Sequence, residues 1–153
     1  MKRIIVSMAA FAVTSAPVFA SGWEVPNQTD LYAAYCKEIV DEQMQPLALA
    51  VTQLDEGEKG VQKLVLAKKR INTYLASRPL VDTKELAATS RQAVLEESLL
   101  RNACSPTECL DKSSTEPEYE SCFNAQQECI DRDPKLKAIQ TRIRGCFSPD
   151  WPL

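Results

Sequence analysis

Apolar residues recur at spacings of three and four through most of the chain beyond residue 30. Tyr32, Tyr35, Cys36, Ile39, Val40 and Met44 share one helical face, which predicts a helix starting at about Leu31. Pro46 removes an intrahelical hydrogen bond and clashes with the preceding turn. Leu47, Ala50, Val51 and Leu54 nevertheless resume the pattern, so a kinked continuation or a short second piece is expected. The polar run Asp55 to Gly60, with two glycines, reads as a turn between antiparallel helices. A second helix, about Glu58 to Ala76, puts Val61, Leu64, Val65, Lys68, Ile71 and Leu75 on one side and ends before Arg78-Pro79.

Asp82 followed three residues later by Glu85 has the form of a capping box. It opens a third helix that carries Leu86, Ala87, Ala93, Val94, Leu95, Leu99 and Leu100 to about Ala103. Its broad, alanine-rich apolar face marks it as the central, well-covered helix. The segment from Cys109 to Glu116 is polar. Thr115, Pro117 and Glu118 then start a fourth helix with Tyr119, Cys122, Phe123, Gln126 and Ile130 on one face. Asp133 and Pro134 start a fifth, in the favoured order of cap then proline, with Leu136, Ile139, Ile143, Cys146 and Phe147 inward and Gly145 weakening its last turn. No alternation of apolar and polar residues is long enough for a strand. The expected fold is all-α: an up-down helical bundle of four to five helices cross-linked by disulfides.

The first twenty residues lack this periodicity. Lys2 and Arg3 precede an apolar run from Ile4 to Val13, and small residues lead to Val18-Phe19-Ala20, the form of a cleavable export signal cut after Ala20. Residues 21–153 then form a single helical domain with a cysteine-rich C-terminal half (104–146). Within it, Ser21 to Gln28 is an extended lead-in whose Trp23 is expected against the core. Asn27-Gln28-Thr29 matches a glycosylation sequon, but Thr29 or Asp30 capping the first helix is the preferred reading. No later run reaches the ~18 apolar residues of a membrane helix, so the mature chain is expected to be soluble, and periplasmic or extracellular.

Composition narrows the chemistry. Loss of the signal leaves sixteen cations against twenty-one acids, a net charge of −5, which disfavours a phosphate-tracking surface for nucleic acid. The chain has no His, and Met44 is the only methionine beyond the signal. No imidazole is therefore present for a nucleophile triad. Lys68-Lys69-Arg70 spreads around a helix, as a solvated surface does. The acidic pairs Asp41-Glu42, Glu96-Glu97 and Asp131 with Asp133 sit on polar faces or helix boundaries, where acids serve solubility and capping. No G-x-S-x-G, P-loop, G-x-G-x-x-G or H-E-x-x-H motif occurs. The expectation is a protein that is not an enzyme and needs no cofactor.

The six cysteines are the remaining signal, five of them between Cys104 and Cys146. An export signal and an even count favour disulfides over metal. In an up-down path Cys36 and Cys129 lie at one end, and Cys104, Cys109, Cys122 and Cys146 at the other. Cys122 and Cys129 are ~10 Å apart along a helix, beyond the ~7 Å reach of a disulfide. The pairing expected is Cys36–Cys129, Cys122–Cys146 and Cys104–Cys109, with exchange among the upper four compatible with the same fold. Structural zinc would want two close cysteine pairs, and only Cys104-x4-Cys109 fits. Copper would want added Met or His.

The functional expectation is an exported, non-enzymatic protein acting through protein–protein interaction, of inhibitor, immunity, adaptor or scaffold type, with another exported or envelope protein as partner. The alternative is a thiolate protein binding copper or zinc. The C-terminal tail, with Phe147 and with Trp151 between prolines, is the candidate docking element, and Trp151 folded back on the bundle is its competing reading.

Overall fold

The computed structural model describes residues 22–50 and 55–151, with side chains described at 22–42 and 59–151. The export signal expected at residues 1–20, the Met44 side chain, Pro152 and Leu153 lie outside those limits. Among the described residues six helices follow one another: α1 (Gln28–Ala50), α2 (Asp55–Ala76), α3 (Thr83–Ala103), α4 (Thr107–Leu110), α5 (Glu116–Arg132) and α6 (Pro134–Gly145). The fold is all-α and cross-linked by three disulfides.

Three expectations about the first half change. Helix α1 continues past Pro46 to Ala50, one of the two courses expected, but α2 begins at Asp55, so the expected turn at Asp55 to Gly60 is helical. Glycine costs about 1 kcal/mol in a helix interior, and cooperative extension from the amphipathic segment that follows outweighs two of them. The cap of α1 is Asn27, rather than Thr29 or Asp30. The Asn27 side chain accepts from the Asp30 backbone N–H at 2.8 Å, while the Asp30 carboxylate accepts from the Asn27 N–H at 2.9 Å. This is a capping box written with Asn and Asp. Trp23 lies away from the core, 58% exposed, because a backbone bridge from Glu24 to Val81 fixes the lead-in and buries Val81 and Pro26 instead.

Helix α1 occupies the centre that the pattern assigned to α3. Ala33, Ala34, Tyr35, Cys36, Ile39 and Val40 are all buried, and α1 packs on both α2 and α3. Helix α2 runs antiparallel to it, with Tyr74 and Arg78 beside Asp30, and Lys68 beside Asp41. Leu64, Ala67 and Ile71 face inward. Of α3 only Ala93 is buried. Helix α6 buries Leu136, Ile139 and Ile143 as its spacing predicts.

The expected cysteine pairing is overturned. Cys36 bonds Cys146, Cys104 bonds Cys129 and Cys109 bonds Cys122. The physical reason lies in the path after α3. Helix α4 and the polar segment behind it carry the chain away from the end of α3, so α5 starts remote and returns, bringing Cys129 back to Cys104. Helix α6 then packs on α3, with Leu136 near Leu100 and Arg142 on Glu96. That places α6, and not α5, within reach of α1. The up-down order expected for the last two helices therefore fails. Gly145 permits the final approach, since a β-carbon there would collide with the hydroxyl of Tyr32, which donates to the Arg142 carbonyl at 2.7 Å.

Candidate functional site

The residues expected to carry function are mostly spent on structure. All six cysteines are in disulfides, so no thiolate remains free for copper or zinc. Asp41 pairs with Lys37 and Lys68, Asp131 with Lys137 and Glu97 with Arg101, while Asp133 caps α6 through the Lys135 and Leu136 N–H groups. Arg70 donates to the Pro149 carbonyl at 2.7 Å. The tail is thereby held down. Trp151 meets Tyr32 edge-on with ring centroids 4.8 Å apart, and Phe147 packs half-buried on the main core. Both residues close the core, so an exposed docking tail is not what they form.

Among the described residues, the one fully buried charged side chain belongs to Asp30, which the sequence offers only as a possible cap. Asp30 is fully buried and receives Tyr74 Oη at 3.0 Å and Arg78 Nε and Nη2 at 3.0 and 3.2 Å. Burial alone would raise its pKa. Hydrogen bonds from Arg78, Asn27 and Tyr74, with the charge of Arg78, outweigh burial and hold the carboxyl below its ordinary value. Arg78 also reaches Glu24 at 2.9 Å, tying the lead-in to the end of α2. This cluster is a structural clamp joining α1, α2 and the lead-in, since both carboxylate oxygens of Asp30 are held by protein donors.

A different arrangement lies between α3 and α6. Gln92, Leu95, Glu96 and Leu99 line one wall of a groove of about 360 Å³, and Lys135, Ala138, Ile139 and Arg142 line the other. Its base is fixed by Glu96. That carboxylate accepts from Tyr35 Oη at 2.9 Å, from Gln92 Nε2 at 2.8 Å and from Arg142 Nη1 at 2.7 and 2.9 Å. Three helices are thus joined at one carboxylate. Burial raises the Tyr35 phenol well above its usual range, and the hydrogen bond and charge of Glu96 raise it further against the opposing charge of Arg142. The phenol stays a proton donor at physiological pH, and its bond to Glu96 at the base of the groove stays with it.

Comparison gives no further guide: no family model matches the chain, and neither curated proteins nor solved structures yield a match. Function rests on the geometry.

The walls of the groove carry the recognition chemistry. Leu95 is 70% exposed and Leu99 39%. Lys135, at the opposite wall, has no ion-pair partner among the described residues. The helical period assigns Leu95 and Leu99 to a covered face, yet the same stretch carries a signal for exposure. The run Ala93-Val94-Leu95 followed by Leu99-Leu100 spans more of the helix circumference than one packed face can take. Helices α1 and α6 cover part of it, and the rest forms the groove.

Proposed function

We propose that this chain is an exported, soluble, non-enzymatic protein that acts through protein–protein interaction, using the α3/α6 groove to hold an amphipathic helix of another exported or envelope protein molecule. The observation that carries the reading is the exposure of Leu95 beside Leu99 on walls made rigid by the Glu96 tether. Helix-in-groove recognition needs an apolar trough with a few fixed polar groups at its rim. Lys135 and Arg142 supply cations there, and the Glu96–Arg142 pair fixes the spacing of the walls. Three disulfides fit an oxidising compartment, in keeping with the export signal expected at the N-terminus. No described helix is long and apolar enough to cross a membrane.

The test is a photo-crosslinking residue placed at Leu95 in cells exporting the chain, with the same residue at Asn102, exposed on α3, as control. The expected result is a protein adduct from position 95 that is absent from position 102. Leu99→Asp should reduce that adduct roughly tenfold or more, the effect of losing a central apolar contact. Equal adducts at both positions, or none at 95, would contradict the reading.

A further inference from the structure

Helix α5 is sparsely covered by the rest of the fold. Only Cys122 and Ile130 are buried along it. Its C-terminal half lies along α6, with Gln127 and Gln140 exchanging hydrogen bonds and Asp131 paired with Lys137. The N-terminal half carries Tyr119 and Phe123, both exposed, the latter by 52%. Their spacing of four residues puts the two rings on one stripe. Glu116 and Glu120, each three residues before one of those rings, border that stripe on one side, and neither has an ion-pair partner among the described residues. The capping acid of the helix is a different one, Glu118, which accepts from the Ser114 and Thr115 N–H groups at 2.7 and 3.1 Å. The Cys109–Cys122 bond fixes the stripe on α4.

Two surfaces on one molecule are therefore complementary. One is a helix with two aromatic rings bordered by Glu116 and Glu120, which have no ion-pair partner among the described residues. The other is a groove with exposed leucines on one wall and Lys135 on the opposite one. Helix α6 connects them, because it forms one wall of the groove and also packs on α5. The α5 stripe cannot enter the groove of its own molecule, since α5 is held on α6 by the Gln127–Gln140 and Asp131–Lys137 contacts. A second molecule can supply it, and two adjacent complementary patches allow the contact to be made twice about a two-fold axis.

We infer that the occupant of the groove is a second copy of this chain, whose Tyr119 and Phe123 insert beside Leu95 and Leu99 while its Glu116 and Glu120 face Lys135. The inference rests on the reading of the groove as a protein-binding site and names the protein bound there. Each ring is already about half covered, so the added burial is modest and the dimer belongs with weak, small interfaces of less than about 1,200 Å². Its affinity falls as salt rises, because the acids and Lys135 are exposed charges.

The experiment is sedimentation equilibrium of the full exported protein from micromolar to millimolar concentration at low salt, with circular dichroism as a check on folding. The wild-type chain is expected to show a monomer–dimer equilibrium. K135E alone, and E116K/E120K alone, should each weaken it roughly tenfold, a small charge effect counted at two symmetric contacts. An equimolar mixture of the two variants should recover the dimer, since one contact is then charge-reversed on both sides and the other is native. A monomer at millimolar concentration would overturn the inference, as would a dimer indifferent to both variants. The adduct at position 95 separates this failure from failure of the groove itself. A different exported protein joined to a monomeric chain overturns the second-copy assignment and leaves the groove reading standing, whereas no adduct removes both.

Discussion

Replacing Cys36 and Cys146 together by alanine should destabilise the protein by ~4–5 kcal/mol in urea unfolding, the entropic cost expected for opening a closed loop of this length. The bond joins residues 110 apart, the longest span of the three, and both cysteines are fully buried. The Cys109–Cys122 bond closes a span of only 13 residues. Its removal by the same substitutions should cost ~3 kcal/mol or less in the chain-entropy model. The order of the two effects is the informative outcome. A smaller loss for Cys36 and Cys146 than for Cys109 and Cys122 would mean that the end of α6 is held on α1 by packing alone.

Asp30→Asn should cost about 3–5 kcal/mol, the usual penalty for removing one partner of a buried ion pair. The substituted amide cannot accept from Asn27, Tyr74 and Arg78 together as the carboxylate does. Arg78 keeps Glu24, which sets the lower end of that range. Tyr74→Phe removes a single donor and should cost about 1 kcal/mol. The same clamp gives a pH signature. Because the folded-state pKa of Asp30 is depressed, its contribution is complete above the unfolded value of about 3.9 and is lost as the pH falls through the folded value. Stability measured between pH 5 and pH 2 should therefore decline less steeply in Asp30→Asn than in the wild type. Asp41, also depressed by its two lysines, keeps some slope in both proteins. Parallel declines would show that Asp30 is not linked to acid unfolding.

What the sequence made legible was local. The caps at Asp82, at Thr115 with Glu118, and at Asp133 before Pro134 were readable because each motif satisfies helix N–H groups within three residues. The inward face of α6 was readable for the same reason: Leu136, Ile139 and Ile143 obey one period. What failed depended on distant partners. Nothing near Cys129 says that α5 returns to the end of α3, so the cysteine pairing could not be deduced from spacing. Trp151 and Trp23 are similar in local setting, each near a proline, yet one packs on Tyr32 and the other is exposed. Leu95 and Leu99 were assigned to a covered face because a helical period reports which residues are apolar, not how much of their surface the neighbouring helices cover. The groove arises from that shortfall in coverage, and Glu96 became its tether only when α6 brought Arg142 to it.

The groove exists only if α6, rather than α5, lies against α1 and α3. Disulfide-linked peptide mapping of the protein, purified and digested without reductant, tests that placement most directly. Fragments joining Cys36 to Cys146, Cys104 to Cys129 and Cys109 to Cys122 are the expected result. A fragment joining Cys36 to Cys129 would put α5 on α1 and contradict the account.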